Sequence, residues 1–60
     1  MDPDETLRLI RRIGADLRND KFDSNDEEHN AFSLLLEYIE DLDEWLTKGG
    51  YPPQAWRPVH

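Results

Sequence analysis

The apolar residues of this chain recur at helical spacing in two stretches, and the stretch from Ser24 to Gly50 has the wider apolar face. There Phe32, Leu35, Ile39, Leu42 and Leu46 follow one another at alternating steps of three and four, a heptad seam. A second row, Leu34, Tyr38 and Trp45, runs beside it. At about 100° per residue, the two rows and Leu36 cover roughly 200° of the helix. Asp43 interrupts that arc near its Leu36 edge, and the rest of the circumference is polar. An ordinary surface helix needs an apolar stripe of only about 100° or a little more. This one therefore needs cover on two sides, and a single partner helix leaves part of it wet.

The ends of the helix are marked. Ser24 with Glu27 makes the capping-box pattern, and Asp26, Glu27 and Glu28 put negative charge in the first turn, where the helix dipole favours it. Lys48 lies in the last turn, either Gly49 or Gly50 suits the left-handed position that closes helices, and Pro52 and Pro53 forbid continuation.

The second periodic stretch comes first in the chain. Asp2 suits the N-cap, Pro3 the first helical position, and Glu5 completes a second capping box. The spacing predicts a helix from about residue 3 to 19, with Leu7, Ile10, Ile13 and Leu17 as its buried stripe and Leu9 on the edge. Gly14 lies on that stripe, where glycine costs about 1 kcal/mol against alanine. Either a ring such as Trp45, Phe32 or Trp56 packs over it, or it is simply tolerated. Arg8, Arg11, Arg12 and Arg18 occupy the outer arc, to pair with local acids and the acidic side of the second helix, or to dock an acidic partner. Residues 19–23 form a short polar connection of the length that joins antiparallel neighbours, with Phe22 as a hydrophobic plug.

After Gly50 the chain reads YPPQAWRPVH, with three of the four prolines and no helical pattern. Its spacing lacks P-x-x-P, which weakens a polyproline-ligand reading. Tyr51 and Trp56 are instead expected to fold back over the exposed flank of the long helix. The fold class expected is all-α: one domain over 1–60, with helices at about 3–19 and 24–48 in an antiparallel hairpin and an extended tail over 49–60. Two such hairpins would dimerise into a four-helix bundle.

Composition narrows the functional classes. Sixty residues without cysteine exclude disulfides and zinc-thiolate sites, so stability must come from helix packing or self-association. No apolar run reaches the 18 or so residues of a membrane span and no signal peptide opens the chain, so a cytoplasmic location is expected. The net charge of −7 comes entirely from residues 22–60, with nine acids against two bases, while residues 1–21 balance. Such a chain does not seek phosphate backbones, and its charge favours basic partners. DNA binding through the helix 1 arginines is opposed by the acidic remainder.

No phosphate loop, G-x-S-x-G or H-E-x-x-H is present. Asp20, Asp23, Asn25 and Glu27 imitate part of a calcium loop, but its glycine is missing, and position twelve counted from Asp23 is Leu34. Asp26 and His29 lie three apart and suit a solvated first turn better than a metal site. Nothing would bury one of Glu37, Glu40, Asp41, Asp43 or Glu44 to raise its pKa for acid–base work. No enzymatic activity, catalytic residue, metal or cofactor is expected.

The ending Leu42-Asp43-Glu44-Trp45-Leu46-Thr47-Lys48-Gly49-Gly50-Tyr51-Pro52-Pro53-Gln54-Ala55-Trp56 resembles a pattern in small uncharacterised proteins of actinobacteria and their phages. These often close with L-D-x-W-L-x-x-G-G, an aromatic, a proline and a tryptophan. The resemblance covers about a quarter of the chain. It implies such a setting and a similar helix, stop and tail, and it assigns no activity. The function expected is a helical protein–protein interaction module, homodimeric, acting as an adaptor, a regulator or a small phage factor that binds a host protein. Its interaction residues are Leu34, Leu35, Tyr38, Ile39, Leu42, Trp45, Leu46, Tyr51 and Trp56. The alternative is an acidic decoy: Glu37, Glu40, Asp41 and Glu44, with Asp26, Glu27 and Glu28, would imitate nucleic acid and occupy a basic binding site.

Overall fold

The computed structural model describes residues 1–57, and among them all regular structure is helical: α1 (Pro3–Arg18), α2 (Asn25–Thr47) and a 3₁₀ turn, Gln54–Trp56, in the tail. Local chemistry sets each boundary. The Asp2 carboxylate accepts the Asp4 and Glu5 backbone N–H groups at 3.0 and 3.3 Å, satisfying two donors that the first turn leaves free. The Thr6 hydroxyl adds a bond to the Asp2 carbonyl at 3.0 Å. Glu5 has turned to Arg8, whose Nε donates to it at 3.1 Å. Ser24 caps α2 by accepting the Glu27 N–H at 3.2 Å.

Both helices close with the same pair of reversed bonds, in which two N–H groups past the end reach back to carbonyls of the last turn. At the end of α2, Gly49 takes φ +90°, its N–H reaches the Leu46 carbonyl at 3.1 Å, and the Gly50 N–H reaches the Trp45 carbonyl at 2.8 Å. At the end of α1 the left-handed position falls to Asp20, at φ +53°. There Lys21 N–H bonds the Asp16 carbonyl at 3.2 Å, and the Lys21 ammonium lies 3.9 Å from the Asp16 carboxylate. An aspartate tolerates this conformation better than most residues but not as well as glycine.

α1 and α2 pack against one another as a hairpin. Leu7 and Leu42 are the buried apolar core, at 6% and 4% exposure, and Pro3 and Pro53 are fully enclosed. Pro53 belongs to the tail, so the tail packs on the hairpin. The extended run predicted after Gly50 contains one 3₁₀ turn, which the Pro-Pro pair precedes and which closes with the Trp56 N–H on the Pro53 carbonyl at 3.0 Å.

The molecule measures 41 × 25 × 13 Å across its Cα atoms, with a radius of gyration of 13.2 Å. A compact chain of this length has a radius near 10 Å. A helix spans about 4.6 Å between its Cα atoms, and packed helices lie about 8–10 Å apart. The hairpin with its tail is therefore an elongated body, with little depth beyond its two helices and the tail laid on them.

Candidate interaction surface

The structure divides the heptad seam. Leu42 is buried and Leu35 and Leu46 are half-buried, while Ile39 is 44% and Phe32 52% exposed. On the helical wheel Ile39, Phe32, Asp43 and Leu36 fall within about 60° of one another. They form one edge of α2, and Leu36 there is 50% exposed. The second row fares differently. Tyr38 and Trp45 are half-buried, and Leu34 remains 40% exposed.

Trp45 owes its cover to the tail. Its indole Nε1 donates to the Tyr51 carbonyl at 2.8 Å, and its ring meets Tyr51 edge-on, with centroids 5.5 Å apart and planes at 85°. Gly50 lies under the same ring. A Cβ built there would stand 2.6 Å from Trp45 Cδ2, well inside contact distance. The tail then reaches α1, where the Gln54 N–H donates to the Asp4 carboxylate at 2.6 Å. Asp4 thus caps the 3₁₀ turn across fifty residues of sequence, as Asp2 caps α1 locally.

Beyond that latch, Trp56 lies over the hairpin. With Leu7 and Ile10 of α1 and Ile39, Leu42 and Leu46 of α2 it lines an open groove of about 250 Å³, whose single polar wall is Asp43. Trp56 is itself 48% exposed, so the groove is only partly closed. Two other hollows, of about 270 and 430 Å³, carry charged rims: Asp41, Glu44 and Lys48 in one, Asp4, Arg8 and Arg11 in the other. The apolar groove continues into the bare edge of Phe32 and Leu36, which makes it the candidate interaction surface.

Of the residues expected to interact, the structure gathers Ile39, Leu42, Leu46 and Trp56 at the groove. It places Trp45 and Tyr51 together in the tail latch, Leu35 and Tyr38 in partial cover, and Leu34 exposed and outside the groove lining. Phe32 and Leu36 are as bare as any apolar side chain of α2 and were not among those expected. The interrupting Asp43 is the sequence signal that this edge stays wet.

The charge pattern is one-sided. α2 carries eight acids and no lysine or arginine. In α1, Glu5 raises the Arg8 pKa, first by hydrogen bond and then by charge. Arg11, Arg12 and Arg18, expected to pair with nearby acids, form no ion pair among the described residues. The Lys48 ammonium, 2.7 Å from Glu44, holds that carboxyl below its usual 4.5, chiefly by hydrogen bonding and then by charge.

Among the described residues no helix is long and apolar enough to cross a membrane, and no three His, Asp or Glu side chains come together as a metal site. Compared with known proteins, the chain matches no family model, no curated sequence and no solved structure.

Proposed function

We propose that the chain is a small helical interaction module whose working form is a pair of hairpins packed face to face as a four-helix bundle. The observation that carries this reading is an elongated hairpin whose buried apolar core is only Leu7 and Leu42, with an apolar groove that runs into a bare edge on one face. The accessible surface is 4813 Å² for a 7.1 kDa chain. A compact monomer of that mass exposes about 4,100 Å². The excess of roughly 700 Å² is comparable to the area of about 800 Å² that each partner loses in a standard interface. A second copy brings a matching groove and edge, as a two-fold interface requires.

The test is the dependence of stability on protein concentration. If folding and pairing are linked, a roughly hundredfold dilution lowers apparent stability by about 2.7 kcal/mol, seen as a lower urea midpoint. Overlaid urea curves would count against the pairing. The decoy reading draws on the exposed acids Glu37, Glu40 and Asp41. It requires binding to a basic protein that weakens steeply with salt, and Glu37→Gln with Glu40→Gln should abolish it.

A further inference from the structure

We infer that the hollow beside Trp45 receives an arginine side chain of a basic partner protein, with the indole as its wall and the Asp41 and Glu44 carboxylates as its acceptors. This goes beyond the pairing of hairpins and uses a different side of the molecule. Asp41, Glu44, Trp45 and Lys48 stand at i, i+3, i+4 and i+7 of one helix, so they project together. With Met1 they line a hollow of about 270 Å³. At about 100° per residue, Asp41, Glu44 and Trp45 lie roughly 120–160° around α2 from Ile39. A second hairpin seated on the groove therefore leaves this hollow open.

The tail fixes the ring. The indole Nε1 donates to the Tyr51 carbonyl at 2.8 Å, and the Gly50 backbone lies so close that an added Cβ would stand 2.6 Å from Cδ2. Neither Gly50 nor Tyr51 lines the hollow. The tail thus holds the indole from other sides and leaves the hollow a ring already in position. The π surface of an indole attracts a cation, and tryptophan does so better than the other aromatic residues. A guanidinium suits this wall in particular, because it stacks flat on a ring while its N–H fork donates to carboxylates at its edge.

The charges agree. Asp41 forms no ion pair among the described residues. Glu44 already holds a cation, the Lys48 ammonium of its own chain, at 2.7 Å. The Glu44 and Lys48 side chains are 64% and 73% exposed, and so exposed a pair exchanges partners at little cost. The hollow also sits at the carboxyl end of α2, the negative end of its dipole. Residues 22–60 supply the whole net charge of −7, which draws basic partners in from a distance. The other two hollows lack this combination: one is walled by Arg8 and Arg11, and the apolar groove has a single carboxylate.

The test is an NMR titration of the full chain with N-acetyl-arginine methylamide, beside its uncharged isostere N-acetyl-citrulline methylamide. The chain has two tryptophans, so the Trp56 indole N–H serves as the internal control. The Trp45 indole N–H should shift saturably, with a Kd on the order of 10 mM for one side chain, while Trp56 stays in place and citrulline does nothing. Asp41→Asn with Glu44→Gln, both on exposed positions, should weaken binding about tenfold. Lys48→Met removes the resident cation and should tighten binding about threefold. A Trp45 signal that does not move, an equal response to citrulline, equal movement of Trp56, or unchanged affinity in the double variant would overturn the inference. So would weaker binding by Lys48→Met. Sedimentation reads the pairing separately, so neither result touches it.

Discussion

Gly50→Ala isolates the contact that fastens the tail. The added Cβ would sit 2.6 Å from Trp45 Cδ2, with Cε2 and Nε1 of the same ring closer still, so the ring must move. That ring is held by its bond to the Tyr51 carbonyl at 2.8 Å and by the edge-on Tyr51 contact. Losing the hydrogen bond costs about 1 kcal/mol. Losing the aromatic pair costs about 1 kcal/mol more, and partial exposure of the tail that follows costs a similar amount, about 1 kcal/mol. The expected total is near 3 kcal/mol, against a whole-chain stability of roughly 3–9 kcal/mol for sixty residues. With a urea slope near 1 kcal/mol/M for so small a protein, the midpoint should fall by about 2–3 M. Far-UV circular dichroism during a urea titration measures this, and near-UV dichroism reports the Trp45 environment. Gly49→Ala is the control. It strains the φ +90° backbone, at about 1–2 kcal/mol, and should leave the Trp45 signal in place. A Gly50→Ala protein within about 0.5 kcal/mol of its parent, with an unchanged near-UV spectrum, would refute the reasoning.

Three further outcomes follow from single contacts. Asp4→Ala removes the acceptor for the Gln54 N–H and should cost about 1–2 kcal/mol in urea melts; a variant as stable as its parent would show that the latch contributes nothing. Asp20→Asn keeps a residue that accepts the left-handed conformation and removes a negative charge beside the negative end of the α1 dipole. It should add about 0.5 kcal/mol and raise Tm by about 2–4 °C, and an unchanged or lower Tm counts against this. Glu44 should titrate below its usual 4.5 by NMR and return there in Lys48→Met. Because the folded value is the lowered one, the pair's contribution is present above that usual value and fades as pH falls through the folded one; an unmoved Glu44 titration in Lys48→Met contradicts the assigned cause.

The helices were legible because their signals are local. Asp2, Ser24 and Gly49 cap by groups a few residues away, and the seven-four spacing of Leu35, Leu42 and Leu46 marks the more deeply buried side of the seam. What stayed hidden is non-local. Asp4 reads as an ordinary first-turn acid, and its bond to Gln54 spans fifty residues. Gly50 reads as half of a stop signal, and only the folded tail reveals the indole above it. Gly14, where a ring was one of two expectations, has nothing within 4 Å of an added Cβ among the described residues. Helical period also sized the apolar arc without saying which flank the tail would take. Tyr51 went to Trp45 and Trp56 to the groove, and the flank left bare is the Phe32, Leu36 and Ile39 edge.

Sedimentation equilibrium of the native chain, run across a wide concentration range, bears most directly on whether one hairpin is an incomplete structure. The mass should approach twice the 7.1 kDa of the chain as concentration rises. Ile39→Asp, placed on the bare edge, should hold it at the mass of one copy. A native chain that stays at 7.1 kDa throughout, folded and with its Phe32 edge in water, would contradict the account.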